Sequence, residues 1–267
     1  MKQREVKLGR LETQFFAYIQ FKRKEMVRLG EIALALGISA KQERELLSRL
    51  ARNRWITRIW RGVYAVPKRL PPGGVWSPGA YRTLNLLMKE LKGCYQITGA
   101  TAFNYHGFDD QVPNWIIAYN NRLSGRREIG GINYLLIKVS DKRLGETCVL
   151  RTSDGTRAVY SSKARTLMDA VYDWSRFNGI PRAYRWIESS VNKDPKLAVE
   201  LARITRRYGN QGTLRRIGFM LARIQPEGAA MRSFLRAISK KKSLIPLVPT
   251  RPARGQGDST WGIIINE

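Results

Sequence analysis

Between Leu29 and Pro67 the chain carries two amphipathic stripes of helical period separated by a tight glycine turn, followed at once by two β-rich runs about a second glycine. Leu29, Ile32, Ala33 and Leu36 recur at i, i+3, i+4 and i+7, and Gly37 stands where a helix end needs a residue tolerant of left-handed backbone. Ser39 precedes Gln42 by three residues, a capping-box pattern that starts a second helix. Glu43, Leu46, Leu47 and Leu50 set its inner side as far as Asn53, and Lys41, Arg44, Glu45, Ser48, Arg49 and Arg52 its outer side. The segment WITRIWRGVYAVP then turns at Arg61-Gly62 and is closed by Pro67. Helix, turn, helix and hairpin in this order predict a winged helix-turn-helix, completed by an earlier helix bearing Leu11, Phe15, Tyr18 and Ile19.

Charge decides between a nucleic-acid binder and a small core with a solvated basic face. The 267 residues carry 48 Lys and Arg against 21 Asp and Glu, a formal net charge of +27. A second helix of about 14 residues is roughly 21 Å long, enough to lie in a major groove with its first turns nearest the base edges. Ser39, Lys41, Gln42, Arg44, Arg49 and Arg52 are therefore the candidate DNA contacts of that helix, and Arg58 and Arg61 those of the wing. The charge is not confined there. Residues 1–70 hold 17 basic and 6 acidic residues, a net of +11, which leaves +16 for the remainder. Such a surface attracts polyanions through counterion release.

The length allows two domains. Residues 1–70 form the smaller. PKRLPPGGVWSPG, at 67–79, holds four prolines and three glycines, so 71–79 is expected to be a linker, and residues 80–267 a larger α+β domain that folds and acts independently. In that domain Ser77 and Pro78 are expected to open a helix whose Tyr81, Leu84, Leu87, Met88 and Leu91 face inward. Strands are expected at Tyr95–Thr98, WIIAYN, INYLLIKV, TCVLR and RAVYS, with a short helix over GATAFNYHG. From Ser162 the period becomes helical through SKARTLMDAVYD, PRAYRWIESSV, DPKLAVELARITRRY, GTLRRIGFMLARI and EGAAMRSFLRAI, and the chain closes on strands LIPLV and WGIII. Strands gathered before helices mean α+β. No apolar run approaches the roughly 18 residues of a membrane span, no export signal opens the sequence, and Cys94 and Cys148 need not pair. A cytoplasmic location is expected.

Enzyme signatures are sparse. His106 is the single histidine, which excludes a multi-histidine metal or acid-base site, and its place before Gly107 suits a helix end. No C-x-x-C, G-x-S-x-G, P-loop or G-x-G-x-x-G occurs. Asp109-Asp110 fits a solvated turn better than half of a metal site. The nearest set for a nuclease is Glu128, Lys138 and Asp154. No catalytic residue, metal or cofactor is expected.

Five stretches taken together resemble the AbiEi family, the antitoxin component of type IV abortive-infection toxin-antitoxin systems: RGVYAVP at 61–67, YQITGATAFNYHGFDDQVP at 95–113, YSSKARTLMDAVYD at 160–173, YGNQGTLRRIGFML at 208–221 and PLVPTRPARGQGDSTWGIIIN at 246–266. Their order spans nearly the whole chain. The resemblance implies a winged helix that represses the operon's own promoter at inverted repeats in double-stranded DNA. It also implies a second domain that antagonises a cognate nucleotidyltransferase-like toxin, with no enzymatic activity in this chain. Arg165 and Asp169, Asn210, Arg215 and Arg216, and Arg251 and Arg254 are the expected antitoxin surface. The first two sets have plainer alternatives, whereas for the third a loop setting favours contact with a partner over packing. Arg165 and Asp169 lie i, i+4 and can pair with each other, Asn210, Arg215 and Arg216 open a basic helix suited to an anion or to water, and Arg251, Arg254 and Asp258 sit in a mobile-looking loop. Two other function classes remain open at this stage: a nucleic-acid-processing enzyme of nuclease type, and a repressor whose basic second domain senses a ligand.

Overall fold

A computed structural model describes residues 8–71, 74–225, 229–238 and 243–267. The protein is α+β, with three sheets among the described residues. The first part runs α1 (Arg10–Phe21), β1 (Met26–Arg28), α2 (Glu31–Leu36), α3 (Ala40–Arg52), β2 (Thr57–Trp60) and β3 (Val63–Ala65), with the sheet ordered β1-β3-β2. Gly37 closes α2 in the left-handed region, at φ 62°, and Ser39 caps α3 through the expected box, Gln42 N to Ser39 Oγ at 3.2 Å and Ser39 N to Gln42 Oε1 at 2.9 Å. Leu29 departs from expectation: it precedes α2 and is exposed. Phe15, Ile19, Ile32, Leu46, Leu47, Leu50 and Ile56 form the core of this part.

The next elements are α4 (Ala80–Glu90), β4 (Tyr95–Ile97), α5 (Gly99–Tyr105), β5 (Ile116–Asn120), β6 (Gly125–Ile129), β7 (Ile132–Lys138), β8 (Thr147–Arg151) and β9 (Arg157–Ser161). Six strands join in the order β6-β7-β5-β4-β9-β8, with β5 parallel to β7 and β4 parallel to β9. Ser77 does not cap α4, whose N-cap is Gly79 without a side-chain bond. The helical run is α6 (Lys163–Tyr172), α7 (Trp174–Phe177), α8 (Arg182–Lys193), α9 (Lys196–Tyr208), α10 (Gln211–Ile224) and α11 (Ala229–Ala237). Glu227 and Gly228 of the expected last helix lie outside the described residues. The closing sheet pairs β10 (Ile245–Pro246) and β11 (Gln256–Asp258) to either side of β12 (Ile263–Ile265). The expected strand LIPLV is only two residues long.

Period-two alternation splits the six-stranded sheet between two cores. Tyr119 and Ile137 face the helices, where Leu167, Met168, Ile187, Leu201 and Ile217 are buried. Ala118, Tyr134 and Leu136 face α4 and, with it, the hairpin of the first part: Ile59, Val63 and Ala65 belong to this second core. Strand β3 is the seam, because its Tyr64 and the following Val66 point into the first core while Val63 and Ala65 point into the second. Trp76 N donates to the Arg54 carbonyl at 2.8 Å, and Ser77 Oγ to the Gly130 carbonyl at 3.4 Å. Residues 74–79, expected as a free linker, run along this junction, while Pro72 and Gly73 lie outside the described residues. Among the described residues no helix is long and apolar enough to cross a membrane.

Candidate nucleic-acid interface

Helix α3 buries Glu43, Leu46, Leu47 and Leu50 and turns Lys41, Gln42, Arg44, Glu45, Ser48, Arg49 and Arg52 outward, as the stripe predicts. The buried acid has a function in the fold. Glu43 is 1% exposed and accepts from the amides of Gly30 (2.9 and 2.7 Å), Ile32 (2.9 Å) and Ala33 (3.1 Å), so α3 caps the first turn of α2. Three amides that lack intrahelical partners and the positive end of α2 meet one carboxylate, which sets the angle between the two helices.

The cations of α3 are not equivalent. Arg49 reaches back to α1, its Nη2 2.7 Å from Glu12 Oε1 and its Nε at 2.8 Å, so its half-exposed guanidinium is already paired with a carboxylate. Gln42 is half committed, since its Oε1 completes the cap and leaves the amide nitrogen to face out. Lys41, Arg44 and Arg52 are exposed and have no ion-pair partner among the described residues. On the wing Arg58 and Arg61 are likewise exposed, with Arg58 Nε donating to the Trp60 carbonyl at 3.4 Å.

The wing leads directly to further cations. Arg58, Trp60 and Arg61 form one wall of a cleft of about 390 Å³ whose other wall is strand β6, with Arg126, Arg127 and Glu128. The Arg127 guanidinium carbon lies 5.2 Å from the centre of the Trp60 ring, and Arg126 stands 5.5 Å from that of Trp115. Sequence reasoning passed over β6, because GRREI has no apolar period. The only signal was its pair of adjacent arginines.

The expected antitoxin residues divide differently. Arg165 and Asp169 do pair, but at 0% exposure each. Asp169 accepts from Arg165 Nε at 3.0 Å and Arg143 Nη2 at 2.9 Å, with Thr98 Oγ1 at 3.3 Å, while Arg165 also donates to the carbonyls of Arg143 (2.7 Å) and Gly145 (3.3 Å). This is an internal tie between the sheet, the loop after β7 and α6, not a surface. Arg143, which lies over Tyr172 at 3.8 Å, was not singled out from the sequence. Arg215 and Arg216 are also buried: Arg215 donates to the carbonyls of Trp261 (2.8 Å), Ser243 (2.5 Å) and Gly262, and Arg216 to that of Pro246. They pin the closing sheet to α10, while Asn210 caps α10 through Thr213 N at 2.8 Å. Gly218 on α10 leaves room for the Trp261 ring, which a Cβ there would meet at 2.0 Å. Of this set Asn210, whose side-chain oxygen is taken up by the cap, and Arg251 and Arg254, in the loop before β11, stand exposed.

The candidate catalytic residues do not converge. Glu128 pairs in register with Asn133, five residues before Lys138 on β7, about 17 Å along the strand. Asp154 lies in the β8–β9 turn, at the opposite edge of the sheet and about 24 Å across it, bonded to Thr152 and Thr156. Asp109 is held by Arg182 at 2.6 Å. His106 follows α5 and shares a hydrogen bond of 2.9 Å with the Ser161 carbonyl, and burial holds its pKa below the usual histidine value. Among the described residues no three His, Cys, Asp or Glu side chains gather as a metal site, and both cysteines are free.

No family model matches this sequence, and no curated protein matches it. Among solved structures the fold is similar to that in the crystal structure of the RV2827C protein from Mycobacterium tuberculosis, with a TM-score of 0.60 over 98% of this chain and 92% of that one. At 13% identity the likeness is one of fold alone.

Proposed function

We infer that this chain is a DNA-binding transcriptional regulator acting on its own promoter, and the antitoxin to a nucleotidyltransferase-like toxin in the cytoplasm. One observation carries the DNA half. Helix α3 holds its apolar side in the core and, with the wing, presents Lys41, Arg44, Arg52, Arg58 and Arg61 on the outside without acidic partners among the described residues. The net charge of +27 supports a polyanionic partner. The antitoxin half rests on the resemblance of the five stretches to the AbiEi family. With Arg165, Asp169, Arg215 and Arg216 buried, its exposed candidate contact residues are Arg251 and Arg254, and Asn210, whose side-chain oxygen caps α10.

Binding of the purified protein to its promoter and to random duplex of equal length, over a series of salt concentrations, tests the first half. Equal affinity for both at every salt would remove sequence-specific regulation. Co-expression with the neighbouring gene, scored for rescue of growth, tests the second. There Arg251→Ala with Arg254→Ala is expected to weaken protection while leaving the unfolding temperature unchanged. Full protection by that double variant would clear the loop of the role. The proposal includes no catalytic step, and nucleic acids incubated with the protein and Mg²⁺ or Mn²⁺ are expected to stay intact.

A further inference from the structure

We propose that the cleft between the wing and strand β6 is a phosphate-binding site, with Arg58 and Arg61 on one wall and Arg126 and Arg127 on the other. In one of its two forms, as a seat for DNA backbone, it rests on the DNA-binding function inferred above. As a site for a free phosphate-bearing molecule it does not.

The walls are positioned by the fold and not by the arginines themselves. Strand β6 is an edge of the six-stranded sheet, in register with β7 at Arg126 to Leu135 and Arg127 to Tyr134. The Gly130 turn that follows it abuts the start of the wing: a Cβ on Gly130 would meet Thr57 Cγ2 at 3.0 Å. On the other wall Ile59 is buried in the core that also holds Tyr134, so wing and edge strand share one apolar foundation. Two stiff surfaces therefore face each other across about 390 Å³, each bringing two guanidinium groups.

Those groups are short of negative charge. None of the four makes an ion pair among the described residues, and the single carboxylate in the cleft, Glu128, makes none either. Arg127 is placed by its stacking on Trp60, and its Nε is shut off from solvent without a hydrogen-bond partner. Withholding solvent and a partner from the Arg127 Nε is costly, and an oxyanion within its reach removes that cost, while Arg58, Arg61 and Arg126 stand exposed beside it. Four planar donor forks outmatch a lone carboxylate ligand but suit the several oxygens of a phosphate, which guanidinium binds in bidentate fashion.

Two sources offer that chemistry: the backbone of a duplex running past the wing, or a free phosphate compound. Full-length protein is compared with Arg127→Ala and with Arg126→Ala, the second variant leaving the Trp60 stack in place. Promoter and random duplexes are titrated over a salt series, and inorganic pyrophosphate is titrated by calorimetry. If DNA fills the cleft, each variant loses affinity for both duplexes alike and its log-log salt dependence flattens by about 0.9 per lost phosphate contact. If a free compound fills it, pyrophosphate binds the parent protein at one site and is lost in the variants, while their salt dependence is unchanged. Wild-type protein that binds pyrophosphate at this site but no DNA would remove the inferred function and keep the site. Folded variants that match the parent in both titrations overturn the proposal.

Discussion

Glu43 of α3 holds the Gly30 amide with both carboxylate oxygens, at 2.9 and 2.7 Å, at the N-cap of α2. A negative charge buried to 1% exposure is tolerated there because backbone amides, not water, solvate it. The exposed face of α3 is aimed by this bond.

Glu43→Ala is accordingly expected to cost more than a surface charge. Hydrogen bonds to a charged group contribute about 1.5–3 kcal/mol, and the change leaves the amides of Gly30, Ile32 and Ala33 unpaired. Denaturant unfolding should show a loss of about 2–3 kcal/mol, with Glu43→Gln recovering part of it. A loss within 0.5 kcal/mol, the usual range for surface substitutions, would mean the contact is not made in solution.

Arg44 and Arg61 are expected to fail in different ways. Arg44 lies in the second turn of α3, the place for base contacts, so Arg44→Ala should cut discrimination between promoter and random DNA by about 1–3 kcal/mol. Arg61→Ala should weaken both alike and flatten the salt dependence. Equal losses on the two DNAs for Arg44→Ala would move the base contacts elsewhere.

How much of this could be read from the residues depended on whether a signal was local. The Ser39–Gln42 box, the Gly37 stop and the Asn210 cap are short-range patterns, and each marks a helix end. Strand β6 was missed because an edge strand with one wet face needs no apolar period, and β1 and β11 because three residues such as Met-Val-Arg and Gln-Gly-Asp carry no run of β-branched or aromatic side chains. Arg165 and Asp169 were placed on a surface because charges usually are. The structure places them inside instead, since every residue from Ala164 to Val171 is buried and charges on a helix enclosed all round must find partners within the fold. Arg215 and Arg216 are enclosed on α10 as well, satisfied there by backbone carbonyls and not by an acid. The cleft at β6 could not be foreseen, because it is made by elements more than 60 residues apart in the chain.

His106 provides a pH signature. Burial is the main cause that lowers its pKa from 6.5; the Ser161 carbonyl opposes this and Lys163 adds to it. The unfolded chain therefore takes up the proton first. The stability that neutral His106 contributes is complete above 6.5 and is lost as pH falls through 6.5 toward the lower folded value. As the single histidine, it makes the test clean. Unfolding temperature should fall between about pH 7.5 and 5.5 in the parent and fall less in His106→Gln. Parallel curves would place the pH dependence on other groups.

Separating the two halves should be costly. A fragment beginning near Trp76 loses Ile59, Val63 and Ala65 from the second core and exposes Leu84, Leu87 and Tyr134. Each buried aliphatic side chain contributes about 1.5–3 kcal/mol, so that fragment should unfold well below the parent temperature, and residues 1–70 alone should also be weakened. Unfolding of the Trp76 fragment at the parent temperature would restore the two independent units read from the Pro/Gly segment.

Strand β3, buried on both sides, gears the winged helix to the body. A wing that cannot swivel gives the bulk of the molecule one fixed azimuth around any duplex that the wing grips. Two copies on an inverted repeat would then face each other or turn apart according to the number of base pairs between half-sites. Inserting about 5 base pairs, half a helical turn, carries one body to the opposite side of the axis, while about 10 returns it. Cooperation between copies should rise and fall with that period, a rotational memory that a flexible tether would erase.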